Sequence, residues 1–190
     1  MKKCIVFTTI LTMIFSIMVH VSYAKSNQLI YIEVVEVPNA TKQDLFQRAN
    51  IWAVSAFRNA KFAIQINDKD SGQIVGKGAL EYEQGFKLGS GSTRGHISFI
   101  FKIFVKDGRY KYEFSEFIHE ASLYEGVNRK DLGLITDDTE YEGNVGFWET
   151  RSWLNDIWND IKKQISRAMQ LSISSLKVAM AKKTESNDNW

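Results

Sequence analysis

One cysteine and one proline occur in 190 residues, and neither sign of charge prevails. Each scarcity removes a class of answer. The cysteine, Cys4, precedes an apolar stretch and does not stand at a cleavage point, so it is not placed to become a lipidated first residue. No other thiol is present, which excludes a disulfide, a thiolate nucleophile and a cysteine-ligated metal from the rest of the chain. Basic residues number 24 and acidic ones 22; without Lys2 and Lys3, which belong to a leader, the balance is 22 against 22. A phosphate-backbone binder needs a surplus of Lys and Arg on one surface, so nucleic acid is not the expected partner. What is plentiful is apolar: a hydrophobic fraction of 44%, with 12 Phe and 7 Tyr, excludes a disordered chain.

Met1-Lys2-Lys3 is a short positive start, Ile5 to Val21 is an apolar stretch interrupted by Thr8, Thr9, Thr12 and Ser16, and Ser22-Tyr23-Ala24 puts small residues at the −3 and −1 positions. This is the pattern of a signal peptide over residues 1–24, with the mature chain starting at Lys25. At 17 residues the apolar stretch is marginal for a hydrocarbon core of roughly 30 Å, so no stable membrane insertion is expected after cleavage. The expected location is the periplasm, the cell envelope or the exterior. Residues 25–183 are then one domain, and 184–190 a polar, mobile tail.

Leu29 to Val37 reads as a strand closed by Pro38, which cannot donate to a ladder. Thr41 with Asp44 forms a variant capping box, and Leu45, Ala49, Trp52, Ala53, Ala56 and Phe57 recur on one face of a helix running to about Asn59. Phe62–Ile66 and Gln73–Glu83 flank the turn residues Asp68 to Gly72 as a hairpin, the second strand weakened by Gly76 and Gly78. Gly85 to Gly95 is a flexible loop by composition. Asp107-Gly108 then predicts a two-residue turn between alternating strands, which fixes the register: Lys106 faces Arg109, and each cross-strand pair adds to 215 as far as Ile100 with Ser115. Val105, Ile103, Phe101, Tyr110, Tyr112 and Phe114 fall on the core face; Phe104, Lys111, Lys102 and Glu113 fall on the other. Glu116 would enter the core in that register, so a bulge or an end of pairing is expected between Ser115 and Ile118. His119 to Gly146 shows no sustained period. From Phe147 a helical rhythm runs to about Lys182, its packed stripe thinning at Ser172, Ser174 and Ser175.

This order, together with Trp52 in the first helix, Asp70-Ser71-Gly72-Gln73-Ile74-Val75-Gly76-Lys77-Gly78 in the first hairpin and Asp107-Gly108-Arg109-Tyr110-Lys111-Tyr112-Glu113-Phe114 in the second, resembles a bacterial envelope family of unknown function described as having a TATA-binding-protein-like (TBP-like) fold. The resemblance covers roughly residues 30 to 180. It implies an α+β domain in β-α-β-β-β-β-α order, an antiparallel sheet of about five strands with two helices on one face, as the periodicities independently suggest. It carries over no catalytic residue, and a fold name does not imply a function.

The chemistry-bearing groups are few. His96 and His119 also add to 215 and would be cross-strand neighbours roughly 5 Å apart, but the bulge breaks that register and the favoured reading is two strand-end histidines in solvent. Asp138, Glu140, Glu142, Gly143, Val145 and Glu149 match positions 1, 3, 5, 6, 8 and 12 of a calcium-loop template, although Glu at positions 3 and 5 is too long and no entering helix precedes them. The favoured reading is an acidic solvated loop with Glu149 near a helix N-terminus. Gly89-Ser90-Gly91-Ser92 lacks the context of a phosphate loop or a serine nucleophile. Lys102, Lys106, Arg109 and Lys111 make a small basic patch on the sheet face away from the core. Trp148, Trp153 and Trp158 are five apart, about 140° around a helix, so some must meet solvent, a partner or the long loop.

The reading is therefore an exported, non-catalytic binding or interaction module acting through the open sheet face (Lys102, Arg109, Lys111) or the aromatic start of the last helix (Trp148, Trp153). No cofactor is expected, and the partner is an envelope protein or small ligand. The alternative is a hydrolase or calcium-binding protein using residues 137–149.

Overall fold

The computed structural model describes residues 27–56, 64–83, 93–122, 129–147 and 149–182. Residues 1–24, expected to be a signal peptide, Phe57 to Asn59, Phe62, the glycine-rich segment from Gly85 to Ser92, Trp148 and residues 184–190, expected to be a mobile tail, lie outside the described residues. Among the described residues eight elements follow one another: β1 (Tyr31–Glu36), α1 (Lys42–Ala56), β2 (Ile64–Asp68), β3 (Gln73–Tyr82), β4 (Gly95–Lys106), β5 (Arg109–Ala121), β6 (Gly133–Leu134) and α2 (Arg151–Ala181). The sheet is antiparallel in the order β1-β5-β4-β3-β2, with the two-residue β6 paired beyond β1 on the same edge of β5.

The β4–β5 hairpin is the centre of the sheet, and its register runs as expected from Lys106↔Arg109 to Ile100↔Ser115. Gly108 supplies the positive φ of 74° that the tight turn requires. The register then shifts by one, to Ser98↔Ile118, and the extra residue is Glu116, which takes a left-handed φ of 57°. This bulge keeps the carboxylate exposed and turns Phe117 and His119 inward. Burial along β4 alternates at each of its first eleven positions, as a one-sided sheet demands. Gly78, read from sequence as a weak point, lies opposite Phe99; a Cβ there would come within 2.2 Å of the Phe99 ring. The aromatic fills the space that glycine leaves.

Both helices cover the inner face. The capping box is formed, with the Asp44 N–H donating to Thr41 Oγ1 at 3.1 Å and the Thr41 N–H to Asp44 Oδ2 at 3.4 Å. Leu45, Ala49, Trp52 and Ala53 are buried, whereas Ala56 is exposed, so the apolar face of α1 ends one turn earlier than its sequence rhythm. Trp52 meets Phe101 and Phe114 edge-on, with ring centroids 6.1 and 6.4 Å away. α2 starts at Arg151, behind the Thr150 N-cap, and not at Phe147. Its packing does not fade with the serines: Leu176 and Met180 are completely buried, and the Ser175 hydroxyl accepts the Trp52 indole N–H at 2.9 Å.

The stretch without a period is anchored too. Leu132, Ile135 and Tyr141 are buried and β6 pairs with β5. His119, expected in solvent, is fully buried in the turn of chain that this stretch makes against the sheet.

Candidate functional site

The helices leave the other sheet face uncovered, and the register states what it displays. Ile32 lies opposite Glu113, Val34 opposite Lys111, and Lys111 opposite Phe104, so β1, β5 and β4 carry an apolar strip crossed by charges. Ile32 and Val34 are 55% and 54% exposed, which for β-branched residues in a strand means that one whole side chain face meets water. Leu134 of β6 and Ile66 of β2 extend the strip to both edges.

The charges are organised. Lys102 donates to Glu113 Oε1 at 2.8 Å and Ser115 Oγ donates to the same oxygen at 3.1 Å, so Lys102 is neutralised within the face. The Lys102 hydrogen bond is the main reason that the Glu113 carboxyl sits below its ordinary range. Lys111 Nζ lies 4.8 Å from the centre of the Phe104 ring, a cation–π contact. Val34, Phe104 and Lys111 line, with Lys106, Arg109 and Tyr110, a pocket of 460 Å³ at the turn end of the hairpin. Its floor is apolar and its rim cationic. Such a surface suits a partner offering an apolar side chain flanked by carboxylates.

Of the expected site residues, Lys102, Arg109 and Lys111 do share this face. Trp153 and Trp158 do not form a surface of their own. Trp158 is buried, donating from Nε1 to the Asp138 carbonyl at 3.0 Å, with its ring 5.5 Å from that of Tyr141. The long loop is thus what this indole meets. Trp153 is half-buried against the core, and Trp148 is outside the described residues.

The acidic loop is not wrapped around a common centre. Asp138 accepts hydrogen bonds from Asn27 and, at 2.6 Å, from Thr136 Oγ1, bonds that hold its carboxyl low. Glu140 and Glu142 are exposed on either side of the buried Tyr141. Glu149 pairs with Lys130 Nζ at 2.8 Å and accepts the Gly146 N–H at 2.7 Å. Arg151 Nη1 donates to the carbonyls of Tyr141 and Gly143, where a calcium loop would turn its oxygens inward. Among the described residues no three His, Cys, Asp or Glu side chains converge as metal ligands. His96 and His119 are likewise apart, since the bulge sets His96 opposite Glu120 and His119 opposite Ile97.

Sequence reasoning missed Ile32 and Val34 as site residues. Their alternation was visible, but their place beside Lys111 and Phe104 depends on β1 pairing with β5 across some 75 residues of chain, and no local pattern encodes that.

Residues 31–120 match the family model described as a domain of unknown function (DUF4468) with TBP-like fold. A crystal structure of a TBP-like protein from Parabacteroides distasonis is similar, at 17% identity and a TM-score of 0.52, over 80% of this chain and 95% of that one. A DUF4468 family protein from Bacteroides ovatus is similar at 13% identity and a TM-score of 0.52, over 83% of this chain and 88% of the other. Among curated proteins none matches the sequence. The family resemblance and the TBP-like α+β fold read from the sequence are borne out.

Proposed function

We propose that this chain, whose residues 31–120 carry the DUF4468 match, is an exported, non-catalytic binding module that presents the uncovered face of its sheet to a protein partner in the cell envelope. One observation supports this most: Ile32 and Val34 stand half in water beside a pocket of 460 Å³ whose rim is cationic. Large apolar side chains grouped in this way are unfavourable without an occupant. The rim charges would speed association and set orientation, and the apolar strip would supply affinity.

The test is photo-crosslinking in intact cells from a reactive residue placed at Val34, with the exposed Lys163 on α2 as control position. A discrete adduct from Val34, absent from Lys163 and lost with Phe104→Lys, is expected. Identical adducts from both positions, or none from Val34, would refute the assignment. Intact-mass measurement on the envelope fraction checks export separately, the expected chain starting at Lys25.

A further inference from the structure

The uncovered sheet face carries opposite charge at its two ends. Lys106, Arg109 and Lys111 stand where β4 turns into β5, and among the described residues none of them forms an ion pair. Two carboxylates at that end are committed to backbone: Asp68 accepts the Asp70 and Ser71 N–H groups, and Asp107 accepts the Lys42 N–H at 2.7 Å. Lys69 and Asp70 offset each other in the neighbouring turn, which leaves Glu36, opposite Arg109 on β1, against three cations. At the far end of the same strands the sign reverses. Glu81, His96 and Glu120 form one row across β3, β4 and β5, and Glu116 is exposed at the bulge. Arg94 and Glu83 offset each other there, joined by the Arg94 Nε–H to the Glu83 carbonyl at 3.0 Å. Between the ends Lys102 and Glu113 neutralise each other, Lys77 adds one positive charge, and the rest of the strip is apolar.

A face of this kind is complementary to itself under a two-fold rotation about an axis that lies in the interface and crosses the strands. The rotation keeps each strand over its own copy and reverses its direction. Lys106 and His96 are equidistant from Phe101, and Phe101 pairs with Phe114. An axis over this pair therefore sets Arg109 of each copy over Glu120 of the other. The same operation sets Val34, beside Lys111, over Leu134, beside Ile118. Charge meets opposite charge at both ends, and the apolar strip meets itself. An axis parallel to the strands would instead lay the three cations on their own copies. At about 3.4 Å by 4.8 Å per strand residue, the six strands present a projected area of roughly 800 Å², and side-chain relief raises the accessible area above that. A standard interface takes about 800 Å² from each partner, so the face is large enough for a stable dimer.

We propose that the occupant of the open face is a second copy of this chain, the two stacked sheet on sheet with their strands antiparallel and Arg109 of each paired with Glu120 of the other. This rests on the reading of that face as the binding surface and names its partner.

Sedimentation equilibrium of the mature protein between about 1 and 100 μM is expected to show a monomer–dimer equilibrium that weakens with salt. Arg109→Glu and Glu120→Arg each weaken dimerisation at least about tenfold with the melting transition retained, and the double variant recovers association to within about threefold of the original. Within one chain the two positions are roughly 35 Å apart along β5, so this rescue arises only between copies. The Val34 photo-adduct then has twice the mass of the chain. A monomer at every concentration, or a double variant no better than the single ones, overturns the dimer. In that case a Val34 adduct to a different protein keeps the binding face, and no adduct at all removes both.

Discussion

His119 is gripped by backbone groups on both ring nitrogens. The Leu132 N–H donates to Nδ1 at 3.2 Å, so the proton resides on Nε2, which donates to the Thr93 carbonyl at 2.8 Å, and the Tyr82 ring packs edge-on with centroids 5.6 Å apart. Only the neutral Nε2–H tautomer satisfies both bonds. His119→Phe keeps the volume but strands a buried N–H and a buried C=O, and should destabilise the fold by about 2–5 kcal/mol at neutral pH. His119→Gln offers one donor and one acceptor and should lose less than half of that. Urea denaturation of both variants at pH 7.5 measures the difference; equal losses would show that packing, and not the two bonds, is what matters there. The burial of this histidine was not legible in its sequence. One residue inserted upstream moves each later side chain of β5 to the opposite face, and alternation alone does not say where the insertion falls.

At the scale of elements, the hairpin shows which local signals survive folding. Asp107-Gly108 and the alternating apolar residues on each side determined turn, register and faces of β4 and β5 as far as Ser115, because all of that information is local. The bulge itself was legible as a conflict, a carboxylate heading into a core. Its geometry places the strain on Glu116 at a φ of 57°, so Glu116→Gly should stabilise the protein by up to about 1 kcal/mol and Glu116→Val should destabilise it by about 1–3 kcal/mol. Thermal melts decide this, and a destabilised glycine variant would mean that Glu116 holds a contact more valuable than the strain. The acidic loop is the opposite case, since its template spacing was local but its side chains answer to distant partners. Glu149 is nearly buried with Lys130, their side chains 9% and 15% exposed. Glu149→Gln should therefore destabilise by about 1–3 kcal/mol by leaving the shielded Lys130 ammonium, which still donates to the Asn144 carbonyl, without its carboxylate, more than a helix-dipole effect alone would give. Millimolar calcium should leave the melting temperature of both forms unchanged; a calcium-dependent rise lost in the variant would restore the metal reading.

Across the whole molecule, a sheet covered on one side only explains what was and was not readable. The inner face could be assigned from periodicity, since burial writes alternation into β4 and a three-four rhythm into α2. The outer strip could not, because it is assembled from elements far apart in sequence, β1 beside β5. The same global assembly fixes how the protein should respond to acid. Burial lowers the His119 pKa below its ordinary value of about 6.5, so the unfolded chain takes up this proton first. Its contribution to stability is complete above about pH 6.5 and is lost as the pH falls below that value toward the folded pKa. Glu33, held low mainly by Lys177, and Glu113, held low mainly by Lys102, behave as paired acids, whose contribution is present above about pH 4.3 and disappears as the pH falls through their lowered values. The expected acid profile consequently has two separate phases, one beginning near pH 6.5 and one near pH 4. Denaturant midpoints measured from pH 8 to pH 3 should resolve them, and His119→Gln should remove the upper phase while leaving the lower one in place. A variant that retains both would show that the upper phase does not come from His119. A fall in the midpoint from pH 7.5 to pH 5.5 is the direction expected of a histidine that burial holds neutral, and a rise over that range would contradict the assignment to His119.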